Sequence, residues 1–309
     1  MQRQHAWTLV AGIAVLVCAM TVAPSASAQQ IAFTFDDLPA HGPLPPGETR
    51  LDVAHQVIRA LKDAHLPPVY GFVNGVRIEE QPDTVEVLNA WRAAGNPLGN
   101  HTWSHPNLDQ LTLEQFEQDT LKNEPTLEAQ MQHADWHWFR FPYLAEGNTE
   151  AKKTGFRQFL AGHGYKIAGV TMSFADYEWN EPYARCAAKH DDASIAWLEQ
   201  SYLQAAADDI PWRRAMAHQL YGHDIPYVLL MHIGAFDARM LPRLLNLYQK
   251  HGFTFVTLPE AERDPFYRFD VDPALPPGPD SLEGAMAEKH LPLPQRPQDY
   301  SDRLNQICR

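Results

Sequence analysis

Cysteine is scarce in this 309-residue chain: three in all, Cys18, Cys186 and Cys308. That is too few to build a fold from disulfides. Positive charge is also short. Lys and Arg number 25 against 38 Asp and Glu, a formal net charge of −13, which argues against nucleic acid or anionic lipid as the main partner. Internal repeats and low-complexity tracts are lacking. The one long apolar run, Leu9 to Val22, is too short for a comfortable membrane span and is followed by Pro24 and small residues.

What that N-terminal run does resemble is an export leader. Arg3 supplies the positive start, and Ala26-Ser27-Ala28 is an A-x-A cleavage site, so residues 1–28 read as a signal peptide. Val17 before Cys18 is a poor match to a lipoprotein site. The mature chain is therefore expected in a periplasm or outside the cell, one charge more negative for the loss of Arg3, and compatible with a neutral or cationic glycan. Two cysteines survive processing. An even count in an exported protein suggests a Cys186–Cys308 disulfide, pinning the C-terminal tail to the segment near residue 186; two unrelated buried thiols are the alternative.

Two short strings carry the chemistry. Thr34-Phe35-Asp36-Asp37 ends an apolar run, Ile31 to Phe35, that reads as a buried strand. His101-Thr102-Trp103-Ser104-His105 offers two imidazoles four residues apart. One carboxylate with two imidazoles is a ligand set for a borderline metal such as Zn²⁺, with positions left open. The spare carboxylate next door can serve as a base on the attacking water.

Strand-like and helix-like segments alternate along the middle of the chain. Thr49 can cap a helix with the apolar face Leu51, Ala54, Val57, Ile58 and Leu61. Pro82 opens a second helix that ends at Gly95. Thr112 to Gln115 is a capping box starting a long helix, which Pro125 is expected to interrupt. Further strands are read at 69–73, 98–101, 138–141, 166–170, 228–231 and 253–256, with a helix from about Ala238 to Gly252 before the last. Asp36-Asp37, Asn74, His101, Arg140, Asp176 and His232 all fall at or just after a strand's C-terminal end, the face where parallel βα barrels gather their chemistry. Seven strands rather than eight predict an α/β fold with a distorted, incomplete (β/α) barrel. Residues 177–227 read as a helical insertion at the rim of the site, and 263–309 as an irregular, Pro-rich tail.

The chain resembles the polysaccharide deacetylases of carbohydrate esterase family 4, the NodB homology domain. Four of the family's motifs occur in order across roughly residues 30–260: T-F-D-D at Thr34 to Asp37, H-[ST]-x-x-H at His101 to His105, R-x-P-[YF] at Arg140 to Tyr143, and L-x-H at Leu230 to His232. The fourth motif departs from the common D-x-x-D-W: the string is Ala175-Asp176-Tyr177-Glu178-Trp179. The acid partnering His232 is therefore open between Asp176 and Glu178, with Asp176 favoured.

The resemblance implies a domain over residues 29–262 and hydrolysis of N-acetyl groups on an acetylated glycan of chitooligosaccharide or peptidoglycan type. It implies a divalent ion, Zn before Co, Ni or Mn, on Asp37, His101 and His105. Asp36 would be the base, oriented by Arg140. His232, oriented by Asp176, would be the acid, and the Tyr143 N–H an oxyanion donor. The same site could serve an O-acetyl esterase or a non-sugar amidase; the irregular fourth motif leaves a silent glycan-binding protein as a further reading. Trp103, Trp179 and Tyr143 are candidates for stacking on sugar faces, with core packing equally open for the two tryptophans. The remaining histidines receive no role, although His41 lies soon enough after Asp37 to line the cleft.

Overall fold

The computed structural model of the chain describes residues 29–309; the leader expected at 1–28 lies outside the described residues. Seven parallel strands form one curled sheet: β1 (Gln29–Leu38), β2 (Tyr70–Val73), β3 (Leu98–Asn100), β4 (Trp138–Phe139), β5 (Lys166–Ile167), β6 (Tyr227–His232) and β7 (Phe253–Phe255). The order is β5-β4-β3-β2-β1-β6, with β7 pairing the start of β1. Past the end of β5, the chain meets the other edge through an isolated bridge, Met172 to Leu229, and through Thr171, which bonds Val228. The sheet is thus an open half-barrel, as the strand count predicts.

Strand alternation sorts the residues of β1. Ile31, Phe33 and Phe35 pack outward among the helices, while Ala32 joins an inner cluster with Phe72, Trp138, Val228 and Tyr267. Thr34 and Asp36 share the parity of Ala32. The same period of two that fills the core thereby delivers Asp36 to the inner face at the strand's end.

The covering helices follow their sequence signals. α1 (Arg50–Asp63) starts at a capping box of Thr49 and Asp52, α2 (Val85–Ala93) follows a short turn opened by Pro82, and α3 (Leu113–Met131) starts at the Thr112–Gln115 box. α3 runs through Pro125 without a break, contrary to the sequence expectation. A proline removes one backbone bond, but Asn123, Leu127 and Met131 on either side are buried and hold the helix to the sheet. α4 (Glu150–Gly162), α5 (Asn180–Ala188), α6 (Asp192–Tyr221) and α7 (Ala235–Lys250) follow along the chain. α7 begins three residues earlier than its apolar pattern suggests. Among the described residues no helix is long and apolar enough to cross a membrane.

The C-terminal segment is more integrated than an irregular surface strap. α8 (Leu282–Glu288) and α9 (Ser301–Gln306) bury Leu282, Met286 and Leu304. Tyr267 enters the barrel interior, where its hydroxyl lies 2.7 Å from Thr171 Oγ1 and donates to Pro226 O at 2.9 Å. A Cys186–Cys308 disulfide joins the tail to α5, and Arg185 donates to the Leu304 and Ile307 carbonyls beside it.

Candidate active site

The C-terminal ends of the strands open into a cleft of about 700 Å³. Its lining combines Asp36, Asp37, His101, His105 and His232 with the inner face of α6 and tail residues 296–301. The sheet therefore brings together groups separated by up to 196 positions in the chain, and the helical segment and tail wall one side.

Asp37 sits where β1 leaves the sheet, with left-handed backbone (φ 63°), a conformation that costs energy outside glycine and persists only where the surroundings impose it. Its Oδ1 is buried and has no hydrogen-bond partner among the described residues. That oxygen lies 3.6 Å from His101 Nε2 and 3.4 Å from His105 Nε2. Donors on a tetrahedral ion about 2.0–2.1 Å away stand roughly 3.3–3.4 Å apart, so an orphaned carboxylate oxygen and two imidazole nitrogens here have the spacing of three ligands. Burial alone would raise the Asp37 pKa; the His41 hydrogen bond and the surrounding imidazoles hold it well below the usual carboxylate range.

The two histidines are held in ligand form. His101 Nδ1 lies 2.7 Å from the Arg140 carbonyl; a carbonyl only accepts, so Nδ1 carries a proton and Nε2 is the nitrogen that faces Asp37. Burial, with His101 adding, pushes His105 down to about 4, which leaves it neutral near pH 7. The loop carrying them is strained, with Thr102 and His105 both left-handed. Three buried amides brace it. Asn74 Nδ2 donates to the His101 and Thr102 carbonyls, Asn100 Oδ1 accepts from Thr102 N–H, and Asn123 Nδ2 bonds both Val73 O and Asn100 Oδ1. Trp103 is directed away from the cleft, over Gly75 and beneath Lys122.

Asp36 lies beside this set, buried, with Oδ2 3.8 Å from His101 Nε2. Arg140 fixes it. The guanidinium reaches Asp36 Oδ1 and Oδ2 at 3.3 and 3.4 Å, Thr34 Oγ1 at 3.0 Å and Ala168 O at 2.8 Å, all while buried. Its plane also covers the Phe72 ring at 4.7 Å. One planar cation thereby ties β1, β4 and the end of β5 together.

Across the cleft, Asp176 grips His232 twice. It accepts from the His232 backbone N–H at 2.7 Å, and its Oδ1 lies 3.0 Å from Nδ1. Burial lowers the imidazole pKa, but Asp176, with Asp37 and Asp36, outweighs that and raises it to about 10. Glu178 is directed elsewhere and accepts from Ser301 Oγ of the tail. Tyr143 is 65% exposed, left-handed, with its ring 4.5 Å from His105. Trp179 is buried, its Nε1 donating to Ser201 Oγ, so of the two roles open to it the structure gives core packing.

Two site residues received no role from the sequence motifs. Tyr177 is 47% exposed with its ring 5.3 Å from His232. His41 Nδ1 lies 2.7 Å from Asp37 Oδ2, and its ring is 4.6 Å from that of His232. The signal for His41 was its spacing, four residues beyond Asp37 around a turn closed by Ala40 N–H to Asp37 O.

Residues 23–167 match the family model described as polysaccharide deacetylase; Asp176 and His232 lie beyond the matched stretch. A chitin deacetylase from Colletotrichum lindemuthianum is 28% identical over 160 residues, 49% of this chain and 54% of that protein. The chain thus spans about half the length of that curated relative. The solved structure of the chitin deacetylase from the fungal pathogen Colletotrichum lindemuthianum superposes with a TM-score of 0.51 at 22% identity, covering 75% of this chain and 86% of that one. The Xyl-CE4 domain of a multidomain xylanase from the hindgut metagenome of Trinervitermes trinervoides gives 0.52 at 16% identity, covering 80% and 95%. At these identities the two structures share the fold with this chain.

Proposed function

We propose that this chain, which belongs to the polysaccharide deacetylase family (carbohydrate esterase family 4), is an exported, metal-dependent hydrolase that removes N-acetyl groups from a glycan. The observation that carries the reading is the orphaned Asp37 Oδ1 facing His101 and His105, with a clamped carboxylate on one side and a carboxylate-paired imidazole on the other. Asp37, His101 and His105 would hold the ion; two imidazoles and one carboxylate at tetrahedral spacing suit Zn²⁺, with Co²⁺, Ni²⁺ and Mn²⁺ as alternatives. When bound, such an ion lends acidity to water and polarises the acyl carbonyl.

The protein's own groups supply the rest. Asp36, kept in place by Arg140 and with an oxygen facing His101 Nε2, takes a proton from the attacking water. His232, charged at neutral pH and aligned by Asp176, gives a proton to the departing amine. The Tyr143 N–H donates to the developing oxyanion, a contribution on the order of 10²–10³ in rate for one donor. The His232–Asp176 pair favours an amide over an O-acetyl ester, because an amine must be protonated to leave while an alkoxide needs less help. The exposed Tyr143 and Tyr177 rings flank the reacting centre and suit the apolar faces of a pyranose. The α6 segment and the tail limit how the glycan enters, and the disulfide is consistent with export.

The test is acetate release by the purified mature chain from chitooligosaccharides, peptidoglycan fragments and acetyl-xylan, each with added Zn²⁺ and with a chelator. Chelator-sensitive release from an N-acetylated member supports the reading. Release from acetyl-xylan alone would replace it with an esterase, and no release with metal bound would replace it with a binding role.

A further inference from the structure

We infer that His41 is a positioning residue for the metal-ligating carboxylate: its Nδ1–H holds Asp37 Oδ2 so that only Oδ1 is presented to the ion. The inference rests on the metal-site reading above and assigns a role to a residue outside the family motifs quoted for this chain. The two oxygens of Asp37 have different surroundings. Oδ1 is buried and unpartnered among the described residues, 3.4 and 3.6 Å from the two imidazole nitrogens. Oδ2 meets His41 Nδ1 at 2.7 Å. An ionised carboxylate only accepts, so the proton in that contact belongs to His41.

A second arrangement is conceivable, since Asp37, His41 and His232 also bring three donor atoms within 4.8 Å of one another. The distance decides against His41 Nδ1 and Asp37 Oδ2 as joint ligands of one ion. Two donors on one ion about 2.0–2.1 Å away stand roughly 3.3 Å apart in a tetrahedron and about 2.9 Å in an octahedron. The 2.7 Å of His41 and Asp37 is shorter than either and is the length of a charge-assisted hydrogen bond.

The loop is built to keep the ring there. The chain leaves Asp37 in a left-handed conformation, closes a turn at Ala40 and returns His41 over the carboxylate. Arg50, from the first turn of α1, donates to the His41 carbonyl at 2.9 Å and to the Gly42 carbonyl at 2.6 Å. Gly42 is left-handed, and a Cβ there would stand 3.2 Å from the Asn180 side chain. His232 backs the other side of the ring at 4.6 Å between centroids. A carboxylate gripped through one oxygen loses rotamer freedom before the ion arrives, and such outer contacts typically contribute about 10–100-fold to metal affinity.

The experiment measures Zn²⁺ and Co²⁺ dissociation constants by competition with a chromogenic chelator, together with the Co²⁺ ligand-field spectrum. The proteins are wild type, His41→Ala and His41→Gln, with His41→Leu in reserve should the alanine variant not fold. The expected result is about 10–100-fold weaker binding for His41→Ala or His41→Leu. The Co²⁺ band shape should not change, and the amide donor of His41→Gln should recover most of the affinity. Affinity within twofold of wild type in the apolar variants would overturn the inference while leaving the hydrolase reading intact. Abolished binding with an altered Co²⁺ spectrum would also overturn it, by making His41 a ligand. A wild-type chain that binds neither ion would remove the metal-site reading itself.

Discussion

Replacing Arg140 with glutamine removes the cation at the centre of the site, and its cost can be worked from the contacts. The guanidinium donates to the buried Asp36 carboxylate and to two neutral acceptors, Thr34 Oγ1 and Ala168 O. The bond to the carboxylate contributes about 1.5–3 kcal/mol and each bond to a neutral acceptor about 1 kcal/mol. Arg140→Gln should therefore lose about 3–5 kcal/mol, the range expected when one partner of a buried ion pair is removed. Arg140→Lys should recover less than half, because one ammonium cannot span three acceptors on two segments. The assay is urea unfolding in the presence of a chelator, which keeps metal linkage out of the measurement. Asp36→Asn and the double variant complete a cycle. Neutralising Asp36 removes the stranded charge, so the two changes should couple by about 2–3 kcal/mol. A loss below about 1 kcal/mol for Arg140→Gln, or additivity of the two substitutions, would refute the claim that this pair is buried and mutually dependent.

Asp176→Asn should lower acetate release on the order of 10²-fold with little change in KM, whereas Glu178→Gln, whose carboxylate faces Ser301, should act much as wild type; equal losses in steady-state kinetics would contradict the pairing described. The disulfide closes a separation of 122 residues, for which loop entropy gives about 5 kcal/mol as an upper figure and about 2–4 kcal/mol as the common outcome. Cys186→Ser with Cys308→Ser should lose that much and expose residues 282–309 to limited proteolysis; unchanged cleavage would mean that packing alone holds the tail. Burial, with Asp280 adding, raises Glu146 from an ordinary 4.5 to about 7. Its proton is then bound more tightly in the folded state, so this stability is full below about pH 4.5 and is lost as pH rises through 7, a span of about 3 kcal/mol. Glu146→Gln should flatten the decline between pH 5 and 8 in urea titrations, and an identical slope in both proteins would refute it.

Much of the site was legible because it follows local rules. Asp36 and Asp37 end an apolar strand, so strand parity alone places one carboxylate on the inner face. The capping box at Thr112 keeps His101 and His105 outside the helix that follows. What escaped notice depends on contacts distant in sequence. Asn100 and Asn123 read as ordinary polar residues until β3 and α3 pack and their amides meet under the histidine loop. Pro125 reads as a break, but burial on both sides of it keeps α3 continuous. The tail reads as irregular because its buried apolar residues, Tyr267, Leu282, Met286 and Leu304, give a single helical spacing, Leu282 to Met286, too short a run to stand out in the sequence.

The sequence by itself determined the class of fold, the order of strands along the chain and the identity of the groups that can hold a metal, since each rests on periodicity, capping or residue chemistry within a few positions. Only the tertiary structure decided between Asp176 and Glu178, made Tyr177 rather than Trp179 the exposed ring, and set His41 against Asp37. Each of those outcomes depends on which way a side chain faces after the sheet curls and the tail docks. The strings around these residues leave that direction open, and long-range packing fixes it.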